Sequence, residues 1–238
     1  MSSLRYLYQA GSVFAVYKPA GVHSVGLPNG RGGASIADLL IASQPALASV
    51  GRSPEDAGLI QRLDLSTSGI LLGATSRAAW ELLFEQLGKG EVQKLYVACV
   101  EGVLREPQEV SSFIGSPYRG AQKMKSFPTE SPRALFGQTR FEPLSVEPSQ
   151  QRSLVIARAS PARRHQVRVH AAQANHPLVG DALYGATTSL QERTSSEREF
   201  FLHSWRTSFR HPESKEDVLI ESPLSDEIDW AGTFDSPS

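Results

Sequence analysis

A fold of mixed α and β structure is what this 238-residue chain predicts, and three stretches carry that expectation. Val13-Phe14-Ala15-Val16-Tyr17 and Ile70-Leu71-Leu72-Gly73-Ala74 are short apolar runs of the kind that form buried strands. Trp80, Leu83, Phe84 and Leu87 recur at i, i+3, i+4 and i+7, the stripe of an amphipathic helix. Residues 92–100 alternate, with Leu95, Val97 and Cys99 on one strand face and Lys94, Tyr96 and Ala98 on the other, less apolar one.

The elements follow in order. Lys18-Pro19-Ala20-Gly21-Val22 is the turn that ends the first strand. Residues 34–47 predict a helix and residues 53–58 a loop. Ser76 is the expected N-cap of the amphipathic helix and Gly88 its stop. Further strands are expected around Phe113, Thr139-Arg140-Phe141 and Leu154-Val155-Ile156-Ala157. Residues 118–132, rich in Gly, Ser, Pro and Lys, read as a flexible basic loop. Residues 164–174 predict a helix stopped by Asn175 and Pro177, with Arg164 and Arg168 four residues apart on one face. Residues 176–184 return to loop and strand, and no repeat occurs.

Composition narrows the function classes. Hydrophobic content of 40% and charge of 21% are those of a globular protein. No apolar run has the length of a membrane span, and the N-terminus has no signal pattern. A single cysteine, Cys99, excludes an internal disulfide and a cysteine metal site. The expectation is a cytoplasmic, cofactor-light protein. Net charge of −1 hides an asymmetry: residues 119–168 hold ten Lys or Arg against three Glu, a net of +7, and the remainder carries −8. A basic middle followed by an acidic tail fits either one polyanion-binding face or charges that simply solvate several faces.

One segment stands out, Arg62-Leu63-Asp64-Leu65-Ser66-Thr67-Ser68-Gly69, a polar turn directly before the apolar run at 70–74. It presents a carboxylate beside a cation on a rigid support. An aspartate with its ordinary pKa near 3.9 is ionised at neutral pH and serves as nucleophile or general base rather than as acid. By itself Asp64 reads first as a turn cap and only second as a chemical group. Tyr96 by itself reads as a sheet residue, and Arg168 as a solvated helix residue.

Five motifs change that reading by occurring together and in order. They are Tyr17-Lys18-Pro19-Ala20-Gly21-Val22; Arg62-Leu63-Asp64 with Thr67-Ser68-Gly69; Lys94-Leu95-Tyr96-Val97-Ala98; residues 163–170 running into His176-Pro177 and Gly180-Asp181-Ala182-Leu183-Tyr184-Gly185; and Leu202-His203-Ser204-Trp205. In combination the chain resembles the pseudouridine synthase family of the RluA type, over residues 13–224. The Arg-Gln-Ile-Arg-Arg pattern of the RsuA-type branch is absent.

The resemblance implies an α+β catalytic domain at 1–224, a mainly antiparallel mixed sheet flanked by helices with a central active-site cleft. An acidic tail at 225–238 would follow it, with no N-terminal S4-type RNA-binding domain before it. It implies Asp64 as the catalytic aspartate, Tyr96 as the active-site tyrosine and Arg168 as the arginine paired with that aspartate. Arg62, Lys123, Lys125, Arg163, Arg164, His165 and Gln166 would contact RNA. The implied reaction isomerises uridine in rRNA or tRNA to pseudouridine, without cofactor, metal or membrane, by a monomer. His165, His170 and His176 lack the Cys or carboxylate companions of a metal site and are expected to be structural. The turn at 180–185 is expected to support the site through its glycines. Gln61 stands where relatives often have His, Ala162-Arg163-Arg164 where they have Gly-Arg-Thr, and Tyr17 where they have Asn. A fold-retaining RNA-binding protein without activity is the competing class, but binding alone does not require Asp64, Tyr96 and Arg168 together.

Overall fold

The computed structural model describes residues 4–27, 33–188 and 199–224; the acidic tail expected at 225–238 lies outside the described residues. The expected domain at 1–224 contains two compact units. One comprises 4–27, 33–92 and Ser204–Ser222; the other comprises 93–188, Glu199–His203 and residues 223–224.

In the first unit, β1 (Tyr6–Ala10) and β2 (Val13–Lys18) form an antiparallel hairpin. The sequence reading did not anticipate β1, because this outer strand is largely exposed and lacks a buried face. Helix α1 (Ile36–Ser43) starts at a capping box, in which Ser35 Oγ accepts from the Asp38 amide and the Asp38 carboxylate accepts from the Ser35 amide. The helix expected over 34–47 is shorter because Pro45 pushes Gln44 out of the helical region, to φ −144°. A 3-10 turn at Pro45–Ser49 takes up the remainder.

Strand β3 (Ser68–Ala74) pairs antiparallel with β2, from Lys18 opposite Gly69 to Val13 opposite Ala74, and every residue of it is buried. This is the apolar run after the Asp64 turn, a central strand as its composition predicts. Helix α2 (Arg77–Lys89) is capped by Ser76, as expected. It lays Trp80 and Leu83 into the core, with Phe84 and Leu87 packed against it. The expected stop at Gly88 is displaced: Gly90, at φ 77°, closes the helix by donating to the carbonyls of Gln86 and Leu87. Gly88 is tolerated inside the helix.

The second unit is an antiparallel sheet. Strand β4 (Gln93–Glu101) pairs with β8 (Arg152–Ser160), β8 with β7 (Ala134–Glu147), and β7 with β5 (Gln108–Gly115). Strand β6 (Lys125–Phe127) adds to β5 inside the stretch expected to be a flexible loop. Helix α3 (Gln166–Gln173) lies against β5, β6, β7 and β8. Its start is a correction: His165 has φ 55°, so Arg164 precedes the helix and shares no face with Arg168. Its end is as expected, with Asn175 at φ 63°.

The chain then returns through β9 (Leu202–Arg210), whose residues from Ser204 onward belong to the first unit and lie beside β3. A hairpin joins it to β10 (Asp217–Glu221). The pairings within β1–β3, within β4–β8 and between β9 and β10 are all antiparallel, and the α+β class stands. No described helix is long and apolar enough to cross a membrane.

Candidate active site

Asp64 sits in a turn whose backbone is held on both sides. On one side, Ser24 Oγ donates to the Leu63 carbonyl at 2.9 Å and accepts from the Leu63 amide at 2.9 Å. On the other, the Leu65 carbonyl accepts from the Lys18 ammonium at 3.1 Å and from the Gly21 amide at 2.9 Å. Within the turn, the Thr67 amide donates to the Asp64 carbonyl. Lys18 is fully buried, and its ammonium also donates to the carbonyls of Pro19 and Val22, at 2.9 and 2.6 Å. Three carbonyls match its three N–H donors and offset the cost of burying a charge. The motif Tyr17-Lys18-Pro19-Ala20-Gly21-Val22 is therefore a fastening for the Asp64 turn.

The glycine of that turn has a steric reason. Gly69 has φ 107°, and a Cβ there would lie 2.2 Å from the Ser204 carbonyl oxygen. Only glycine lets β3 begin this close to β9. Asp64 itself is half-buried.

Arg62 points its guanidinium to Asp56, with Nη2 3.1 Å from Oδ1, and Arg52 reaches the same carboxylate at 3.7 Å. Asp56 is buried while both arginines remain more than half exposed. Of the sequence-predicted RNA contacts, Arg62 is thus anchored within the first unit by a carboxylate that the sequence reading passed over.

Tyr96 lies on β4 opposite Ala157 and is 8% exposed. Lys94 shares its face, with Nζ 5.3 Å from the centre of the Tyr96 ring. The less apolar face expected for these two residues is as buried as the other, since Lys94 is only 1% exposed. Burial pulls the Lys94 ammonium down from 10.5 to about 7. Cys99, farther along the strand, is buried and its thiol is pushed up to about 12, the state of an inert core residue.

Arg168 is buried. Nε donates to Asp181 Oδ2 at 2.7 Å and Nη2 to Asp181 Oδ1 at 2.8 Å, two parallel charge-assisted bonds. The guanidinium also lies over the rings of Phe200, at 4.2 Å, and Tyr184, at 4.9 Å. The turn at 180–185, expected to act through its glycines, does have Gly180 and Gly185 at φ 87° and 92°. It also supplies Asp181, whose role the sequence reading missed. An aspartate thirteen residues from its arginine has no periodic signal, because the pair meets only once the turn has closed back on α3.

The remaining predicted RNA contacts divide. Lys123 and Lys125 are exposed on a segment that runs beside α3. There the Met124 amide donates to the Tyr184 hydroxyl at 2.9 Å, and Ser126 Oγ donates to Gln173 at 2.8 Å. Arg164 is exposed and reaches the carbonyls of Ala121 and Gln122. Arg163 Nε donates to the Phe136 carbonyl at 2.9 Å. His165 Nδ1 lies 2.8 Å from the Tyr184 hydroxyl. Gln166 is buried with its amide committed: Oε1 accepts from the Arg163 amide at 2.7 Å, and Nε2 donates to the Gln138 carbonyl at 2.7 Å. It therefore braces the loop before α3.

His170 is fully buried between the hydroxyls of Ser112, 2.9 Å from Nε2, and Thr139, 2.7 Å from Nδ1. Burial pulls it from 6.5 to about 4, so it is neutral at physiological pH. His176 Nδ1 lies 2.7 Å from the Glu101 carbonyl oxygen. These contacts give His170 and His176 the structural roles expected of them.

The model of the RNA pseudouridylate synthase family matches residues 12–173, a span holding Asp64, Tyr96 and Arg168. The chain belongs to this family. It is 32% identical to ribosomal large subunit pseudouridine synthase D of Neisseria meningitidis over 240 residues, which cover 95% of this chain and 59% of that protein. The enzyme of the same name from Xylella fastidiosa is 30% identical, over 94% of this chain and 67% of that one. The chain thus spans about three fifths of the Neisseria relative it matches. The solved structure of human RNA pseudouridylate synthase domain containing 1 shares the fold, with a TM-score of 0.71 at 23% identity, covering 98% of this chain and 88% of that one.

Proposed function

We propose that this family member isomerises uridine to pseudouridine in RNA, and that its substrate is ribosomal RNA. The observation that carries the reading is the family match over 12–173 together with Asp64 on a backbone fastened by Ser24, Gly21 and Lys18. The relatives' names favour ribosomal over transfer RNA. We place the reaction in the cytoplasm, in a monomer whose catalytic domain spans 1–224.

In the proposed reaction the target uridine leaves its stack to reach the protein. Asp64 attacks the nucleotide as nucleophile or removes a proton as base, and the bond between N1 and C1′ breaks. The uracil turns while retained and rejoins C1′ through C5. The proton on C5 then departs, with Tyr96 as its acceptor or relay, and N1 gains a proton. Atoms and electrons balance without an oxidant or a second substrate. Arg168 serves as counter-ion to the catalytic carboxylate, with Asp181 fixing the plane of its guanidinium. Arg62, Lys123, Lys125, Arg163 and Arg164 hold phosphates, a contribution that positions RNA and weakens with salt. His165 acts at the edge of that surface.

Site-resolved pseudouridine mapping of ribosomal RNA tests the assignment, comparing cells that lack the gene with cells given it back. The expected result is one or more sites that vanish and return with the gene. No change at any ribosomal site, with loss at a transfer RNA site, would move the substrate. No change in any RNA would leave the reading of a fold-retaining RNA-binding protein.

A further inference from the structure

We propose that Tyr184 is a positioning residue that couples the basic segment at 121–125 to Arg168, so that one side chain sets both an RNA-holding loop and a guanidinium of the catalytic group. The inference deepens the proposed function and rests on its assignment of Arg168 and of Lys123 and Lys125.

The 3-10 turn at Ala182–Tyr184 follows Asp181 directly. One short turn therefore offers Arg168 two supports, the Asp181 carboxylate at 2.7 and 2.8 Å and the Tyr184 ring at 4.9 Å. The far end of the same ring faces the loop. Its hydroxyl oxygen accepts from the Met124 amide at 2.9 Å and lies 2.8 Å from His165 Nδ1. The hydroxyl thus joins the Met124 amide to the His165 ring. Lys123 Nζ stands 5.2 Å from the ring centre, a second cation on the same aromatic system.

The ring and its hydroxyl carry separable duties. The ring, 7% exposed, packs with Ile114 and Val169 and supports Arg168. A phenylalanine would fill that space equally well. The hydroxyl adds nothing to this packing; its bond to Met124 fixes the backbone between Lys123 and Lys125. Tyr184→Phe therefore loosens the loop and spares the guanidinium, whereas Tyr184→Leu affects both.

The test compares the wild type with Tyr184→Phe and Tyr184→Leu, using an unmodified large-subunit ribosomal RNA transcript labelled with tritium at uridine C5. For Tyr184→Phe the expected result is a KM raised about three- to tenfold with little change in kcat, from the loss of the hydroxyl's two part-buried contacts, to the Met124 amide and to His165. Amide hydrogen exchange should quicken at 121–125 and not along α3. Tyr184→Leu should also lower kcat. A Tyr184→Phe variant with wild-type KM and unchanged exchange at Met124 overturns the proposal, as does one whose kcat falls at constant KM. Should Tyr184→Leu not fold, Tyr184→Phe decides alone. Should the wild type release no tritium, the proposed function fails, while exchange at 121–125 and filter binding of the transcript still decide the coupling.

Discussion

Arg168 and Asp181 form a buried pair joined by two parallel hydrogen bonds, of 2.7 and 2.8 Å, between a helix and the turn that follows it. Removing one partner of such a pair strands the other charge away from water, at a cost of about 3–5 kcal/mol. Asp181→Ala is therefore expected to lower unfolding free energy by about that amount in a urea titration. The double change Arg168→Met with Asp181→Leu should recover much of the stability, because neither member of the pair is then left without the other. It should recover no activity, and that contrast separates the architectural share of Arg168 from its chemical one.

The fastening of the Asp64 turn makes a second prediction. Ser24→Ala leaves the buried amide and carbonyl of Leu63 unmet, costing about 2 kcal/mol of stability. Because the displaced group would be the catalytic carboxylate, kcat should fall by about ten- to a hundredfold. Single-turnover kinetics at saturating RNA measure it. Ser24→Thr, which keeps the hydroxyl, should restore part of the loss.

How much of this was legible in the sequence varies with the range of the interaction. Strand β3, the Ser76 cap and the Trp80–Leu87 stripe each follow from local pattern, and the structure has them. The five motifs located the chain's family and its candidate residues. What the sequence hid is pairing at long range. Ser24 meets Leu63 across 39 residues, and Lys18 meets Leu65 across 47. The basic loop reads as flexible from its Gly, Ser and Pro content. The contacts that hold it come from other segments, among them β5, Arg164, Gln173 and Tyr184. Lys94 reads only as part of a less apolar strand face; its burial depends on what covers that face.

His170 gives a pH prediction with a definite sign. Its folded pKa, about 4, lies below the ordinary 6.5, so the unfolded chain binds more protons between those values. The stability this histidine contributes is fully present above pH 6.5 and is lost as pH falls from 6.5 to 4. The loss attributable to it is about 3 kcal/mol. Urea titrations at several pH values should show a shallower acid slope for His170→Gln than for the wild type. Equal slopes would place the acid sensitivity elsewhere.

Lys123 and Lys125 are exposed, and the proposed function assigns them to phosphates. The double variant Lys123→Ala with Lys125→Ala should weaken RNA binding at low salt and reduce the slope of log affinity against log salt by about 1 to 2. Thermal stability should hardly change. A wild-type slope in the double variant would remove both residues from the RNA surface.

The central claim is that Asp64 performs uridine isomerisation, and tritium release tests it most directly. Ribosomal RNA labelled at uridine C5 is incubated with the wild type, Asp64→Asn and Asp64→Ala, each first shown to be folded by circular dichroism. The account predicts release by the wild type and none above background by either variant, with RNA binding retained. Equal release by wild type and variants would contradict it.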